Sequence, residues 1–174
     1  MTADTPPIRL LIVDDHFVVR IGLTSALNLE PDLQVIAEAR NGKEAVALYE
    51  KHLPDVVLMD YQLPELNGAQ ATAAIRARHP DARIIILSVY KGEEDIHRAV
   101  EAGASGYLPK SAEPRELIDA IRAIRNGQQY FPPAMAAALT QRQARGKLSE
   151  REKEVLVMIV RGRTTKEIAA KLGI

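Results

Sequence analysis

Five polar residues each stand at the end of a short apolar run in this 174-residue chain: Asp14 and Asp15 after Leu10–Val13, Asp60 after Val56–Met59, Ser88 after Ile84–Leu87, and Lys110 just beyond Gly106–Leu108. Apolar runs of this length read as buried strands. In an open α/β sheet, reactive groups gather just outside the carboxyl ends of the strands. A lone Asp at a strand end is usually only a cap or a turn residue. Three carboxylates, a hydroxyl and an ammonium, each at the end of a strand, are a different matter. Carboxylates sharing a crevice repel one another, and some take up protons unless a cation is present. Mg²⁺ suits such a site because it takes few carboxylates and keeps several waters. The set then fits phosphoryl chemistry. Asp60 is the nucleophile, Lys110 and the cation neutralise phosphoryl oxygens, and Ser88 donates a hydrogen bond.

The elements that position these residues read in order. The first strand covers about Arg9–Asp14 and is followed by a helix with Val19, Leu23, Ala26 and Leu27 at helical spacing. Leu33–Ala39 is the second strand, and Asn41-Gly42 opens a helix carrying Ala45, Val46, Leu48 and Tyr49. After the Asp60 strand, Pro64, Asn67 and Gly68 form a turn into a helix reaching His79, with Ala71, Ala74 and Ile75 inward. A fourth helix spans roughly Glu93–Ala102 and stops at Gly103. The fifth begins at Pro114, suited to a first helical position, turns Leu117, Ile118, Ile121 and Ile124 to the core, and ends at Gly127. Five alternations predict an α/β fold with a five-stranded, parallel, doubly wound sheet.

Residues 128–147 read as a linker, extended or turning at Tyr130–Pro133 and then Ala-rich, with room for a short helix. From Leu148 the pattern changes. Ser149 with Glu152 and Thr164 with Glu167 repeat a capping-box spacing, and Val155, Leu156, Ile159, Val160, Ile168, Ala169 and Leu172 supply two apolar helix faces. Charge divides the same way. Residues 142–174 hold nine Lys or Arg against four Glu, and the rest of the chain fourteen against nineteen Asp or Glu. An acidic first part with a basic tail suggests a regulator joined to a nucleic-acid-binding module. Cysteine is absent, which excludes disulfides and thiolate metal sites. No export signal or membrane-length apolar run is visible, so a cytoplasmic protein with no membrane partner is expected.

Residues 1–127 resemble the receiver domain of a two-component response regulator. Asp14-Asp15, Asp60 with its Leu63-Pro64-x-x-Asn67-Gly68 loop, Ser88 and Lys110 stand in that family's order. The fold implied is flavodoxin-like. The resemblance implies that Asp60 accepts a phosphoryl group from a sensor histidine kinase. It assigns Mg²⁺ to Asp15, Asp60 and the backbone carbonyl of Gln62, with Asp14 acting through water. Ser88 and Tyr107 become the switch pair, and Gln62 and Tyr90 frame the path of the hydrolytic water. Residues 148–174 resemble the first part of a LuxR-type helix-turn-helix, an all-α module whose recognition helix would follow Ile174 and is missing from this chain. Thr165 and Lys166, at a helix start, are the expected contacts to DNA phosphate. Together the two parts resemble a NarL/FixJ-type regulator, for which the resemblance implies DNA as a target of the full-length protein and a homodimer on phosphorylation.

Other classes fit less well. Phosphohydrolases with an aspartyl nucleophile often carry a second Asp two residues on as acid-base, and Gln62 stands there. No G-x-G-x-x-G follows the first strand, which argues against a dinucleotide enzyme. A receiver acting through protein contacts without DNA is the remaining alternative, and only a DNA-binding measurement on the longer protein separates it.

Overall fold

The computed structural model describes residues 6–89 and 92–131. These lie in one compact unit, Met1–Met135. Its elements are β1 (Ile8–Val13), α1 (Phe17–Leu27), β2 (Leu33–Ala39), α2 (Gly42–His52), β3 (Val56–Asp60), α3 (Gly68–Arg78), β4 (Ile84–Ser88), α4 (Glu93–Glu101), β5 (Gly106–Pro109) and α5 (Pro114–Arg125). The sheet is five-stranded and parallel, in the order β2-β1-β3-β4-β5. This flavodoxin-like arrangement reverses strand order beside β1 and β3, where such sheets open a crevice.

Side chains alternate across each strand. Leu11, Val13, Val57, Met59, Ile84, Ile86 and Tyr107 join one core with residues of α2, α3 and α4. Leu10, Ile12, Val56, Leu58, Ile85, Leu87 and Leu108 join the other with residues of α1 and α5. The two faces are thus filled from one continuous apolar run per strand, as a sheet covered on both sides requires.

Local chemistry sets the helix ends. Asn67 and Gln70 form a reciprocal capping box at α3, and the Asn41 side chain accepts the Glu44 N–H at α2. Gly103 and Gly127, at φ +90° and +83°, follow α4 and α5. Gly68 differs from the turn residue its sequence suggests. A Cβ there would lie 2.2 Å from the Asp60 carbonyl oxygen, so it is required for the close approach of α3 to the end of β3.

Two helix faces depart from expectation. In α1, Ala26 is exposed and Arg20 is buried. The Arg20 guanidinium donates to the Asp14 carbonyl at 2.6 Å, which satisfies a charge that helical periodicity cannot count as core. In α3, Ala74 is only half-buried, and Thr72 takes the inward position, its hydroxyl donating to the Gly68 carbonyl at 2.7 Å.

Candidate functional site

Strand register brings the polar residues together. Val13 pairs with Met59, so Asp14 and Asp60, each one residue further, stand side by side. Asp60 pairs with Leu87, and Ser88 pairs with Pro109, which places Lys110 at the same end of the sheet. The alternation of the strands then sorts the site. Asp60 shares its face with Val56 and Leu58, whereas Ser88 shares its face with Ile86 and Tyr107.

Asp60 and Asp14 are almost completely buried, at 2% and 1% exposure. Lys110 lies between them, its Nζ 2.6 Å from Asp14 Oδ2 and 2.8 Å from Asp60 Oδ2. The other Asp60 oxygen accepts the Gln62 N–H at 3.2 Å. Burial pushes the Asp60 carboxyl above its ordinary range. The hydrogen bond and charge of Lys110 oppose that rise, and the charge of Asp14 adds to it. Burial alone would lower Lys110, but its bonds to Asp14 and Asp60 outweigh burial and hold it above the ordinary lysine value. The crevice thus holds a firmly charged ammonium between two buried carboxyls.

Asp15 is more exposed, and its Oδ1 lies 2.7 Å from His16 Nδ1. His16 Nδ1 is also 3.3 Å from Asp14 Oδ1, and the His16 N–H donates to that oxygen at 2.8 Å. Among the described residues, Asp14, Asp15, His16 and Asp60 form a group in which one ligand atom from each lies within 4.8 Å of the others. Three carboxylates with oxygen donors in such reach suit a divalent cation.

Ser88 and Tyr107 are fully buried, with the Ser88 side chain close enough to the Tyr107 hydroxyl to affect its ionisation. Burial raises the Tyr107 hydroxyl above the ordinary tyrosine value, and Ser88 opposes this. Tyr107 therefore occupies the inward position next to Ser88. Sequence reasoning missed Tyr61. Its hydroxyl is pushed up to about 12 by burial and by the nearby Asp95 of α4. Gln62 is exposed and turns its N–H to Asp60. Tyr90, Thr165 and Lys166 lie outside the described residues.

The strand after Ser88 carries one further connection. Tyr130 forms a parallel bridge with Gly106, donating its N–H to the Ser105 carbonyl and accepting the Tyr107 N–H, both at 3.0 Å. The first residues after α5 are therefore docked on the outer edge of β5, with Phe131 packed against the α2–α4 side of the core.

The crevice, the sheet order and the acidic cluster define a receiver. The response regulator receiver domain family matches residues 10–122, and the luxR family of bacterial regulatory proteins matches residues 146–174. The chain is 33% identical over 168 residues to the response regulator protein VraR of Staphylococcus aureus, covering 94% of this chain and 80% of that protein. A LuxR-family two-component response regulator from Aurantimonas has a similar structure, with 39% identity, a TM-score of 0.73, and coverage of 79% of this chain and 99% of that one. A CheX–CheY–BeF3–Mg complex from Borrelia burgdorferi is similar at 26% identity and a TM-score of 0.65, over 68% of this chain and 90% of that one. The chain belongs to the response regulator family. More particularly, it is a two-component response regulator with a receiver and a LuxR-type DNA-binding output, a phosphoacceptor rather than a turnover enzyme. Membership implies a kinase that supplies the phosphoryl group and DNA as the target of the output. No helix among the described residues is long and apolar enough to cross a membrane.

Proposed function

We propose that Asp60 is the phosphoacceptor and that a sensor histidine kinase is the donor. The observation that carries this reading is the buried Asp60 carboxyl held by Lys110 at 2.8 Å, beside Asp14, at the carboxyl end of β3. An Asp60 carboxylate oxygen attacks phosphorus, an acyl-phosphate bond forms, and the bond from phosphorus to the donor atom breaks. Burial strips water from the nucleophile and raises its pKa, while Lys110 opposes that rise. As charge passes to the phosphoryl oxygens, Lys110 exchanges its carboxylate partner on Asp60 for one of them. Ser88, at the end of the neighbouring strand, donates a hydrogen bond to another.

Asp15, Asp60, Asp14 and the Gln62 backbone are the groups that would hold Mg²⁺; the carboxylate donor set favours it, and the Borrelia complex contains it. When bound, Mg²⁺ supplies charge neutralisation to the transferring group. Ser88 moves to meet the phosphoryl group and Tyr107, buried beside it, follows, so Ser88 and Tyr107 are the switch pair. Gln62 and Tyr90 border the approach of hydrolytic water, with Tyr90 as its shield. Thr165 and Lys166 position the output on DNA phosphate. Residues 1–127 act as the receiver, 128–147 as the linker, with Tyr130 anchored on β5, and 148–174 as the beginning of the output. The readout is a phosphorylation-dependent homodimer in the cytoplasm.

The test is incubation with Mg²⁺ and a small phosphodonor. Close to one alkali-labile phosphoryl group per chain is expected, and none after chelation. Labelling that ignores chelation rejects the scheme.

A further inference from the structure

We propose that His16 is a nitrogen ligand in the cation site, and that it shifts the preference of that site from Mg²⁺ toward cations such as Mn²⁺ that accept imidazole. The inference rests on the reading of the acidic cluster as a cation site. The backbone N–H of His16 donates to Asp14 Oδ1 at 2.8 Å, a tight turn that brings the residue back over the cluster. Its Nδ1 then lies 2.7 Å from Asp15 Oδ1 and 3.3 Å from Asp14 Oδ1. All four donors, Asp60 included, lie within 4.8 Å of one another. A cation about 2.1 Å from its direct ligands Asp15, Asp60 and His16, with Asp14 reached through water, separates those ligands by roughly 3 Å when adjacent and 4.2 Å when opposite. The donors need only close by a fraction of an ångström. Asp15 and His16, the exposed members, are free to do so, while Asp14 and Asp60 are fixed by burial.

The ring chemistry agrees. Facing the Asp15 carboxylate at 2.7 Å, Nδ1 carries the ring proton when no cation is bound; ligation moves that proton to Nε2, which the largely exposed side chain leaves open to solvent. Magnesium gains little from a nitrogen donor because it prefers oxygen and retains its waters. Manganese and its heavier neighbours accept imidazole and gain more along the row. The geometry therefore assigns His16 a role in selecting the metal, with no part in the transfer itself.

The experiment uses the full chain with Mn²⁺ as the probe. Electron spin-echo spectroscopy of bound Mn²⁺ should show ¹⁴N coupling from one imidazole, and His16→Asn should lose it. The ratio of Mn²⁺ to Mg²⁺ affinity, from calorimetric titration, should fall by about tenfold in His16→Asn, the scale of effect expected when a metal site loses supporting contacts. The His16 side chain is exposed and makes no cap hydrogen bond, and asparagine is favoured at a helix N-cap, so the variant is expected to fold. Bound Mn²⁺ without ¹⁴N coupling, or coupling that survives His16→Asn, overturns the inference while leaving the cation site intact. Mn²⁺ binding that is unaffected by Asp15→Asn overturns the reading of the cluster itself.

Discussion

Lys110 lies within hydrogen-bonding distance of both Asp14 and Asp60, at 2.6 and 2.8 Å, so a single ammonium bridges two buried carboxyls from the ends of two different strands. Removing one partner of such a set leaves unpaired buried charge, which costs about 3–5 kcal/mol for a fully buried pair and less where water reaches it. Lys110 keeps some exposure, so Lys110→Met is expected to lose up to about 3 kcal/mol at neutral pH by chemical denaturation. Phosphodonor labelling should fall by at least about tenfold, a loss of roughly 1.4 kcal/mol in the transition state. A variant with unchanged stability and labelling would contradict the role given to this contact.

The same burial sets a pH dependence. The folded-state pKa of Asp60 is raised, so its charged form costs stability at neutral pH and that cost disappears as pH falls through the raised value. Asp60→Asn should therefore melt higher than the natural chain at pH 7, by no more than about 4 °C, roughly the shift given by 1 kcal/mol in a domain of this size. The difference should shrink toward acid pH, where Asp60 is protonated. Lys110 is also raised, so its contribution is present below its unfolded pKa and is lost only in strongly alkaline solution. Thermal melts from pH 4 to 8 check the sign; a melting temperature for Asp60→Asn that is lower at pH 7 opposes it.

Gly68 is a steric test. A methyl group there would meet the Asp60 carbonyl at 2.2 Å, a backbone atom that cannot move without shifting the end of β3. Gly68→Ala is expected to cost about 1–3 kcal/mol, the usual range for overpacking, and to slow labelling as well. Denaturation midpoints and labelling rates measured together decide it, and a variant as stable and as reactive as the natural chain would show that the approach is not tight.

Tyr107 separates packing from switching. Tyr107→Phe removes the buried hydroxyl and keeps the ring, so it should cost about 1 kcal/mol. Tyr107→Ala leaves a cavity and should cost about 3–5 kcal/mol. In the Phe variant labelling should persist while phosphorylation-driven self-association, measured by sedimentation, weakens. An undiminished association response removes Tyr107 from the switch.

The hydrolysis path gives a further test. Tyr90→Ala is expected to shorten the lifetime of the phosphoaspartate, because the side chain that limits water at the phosphoryl group is gone. An unchanged or longer lifetime removes Tyr90 from that role.

Much of the fold can be read from residue pattern alone. Apolar runs such as Val56–Met59 and Ile84–Leu87 end in polar residues that mark the strand ends, and these become the crevice. Register could be guessed only as adjacency; that Val13 pairs with Met59, setting Asp14 beside Asp60, is a tertiary fact. Arg20 was hidden because a buried guanidinium satisfied by a carbonyl looks like any surface Arg in a helical pattern. Tyr61 and Asp95 are far apart in sequence, so no local signal announces that Asp95 acts on the Tyr61 hydroxyl. Gly68 reads as a turn residue because sequence shows the missing side chain but not the carbonyl that needs the space. Tyr130 looks like the beginning of a linker, and only the free edge of β5 explains why it is anchored.

The most direct test of the account is to locate the phosphoryl group. The chain is incubated with Mg²⁺ and a phosphodonor, and the acyl phosphate is trapped by borohydride reduction, which converts phosphoaspartate to homoserine. Peptide mass spectrometry then reads the position. Homoserine at residue 60 alone, absent when Mg²⁺ is chelated and absent from Asp60→Asn, is the expected result. Homoserine at another aspartate of the natural chain, or stoichiometric label surviving in Asp60→Asn, would contradict the assignment of Asp60.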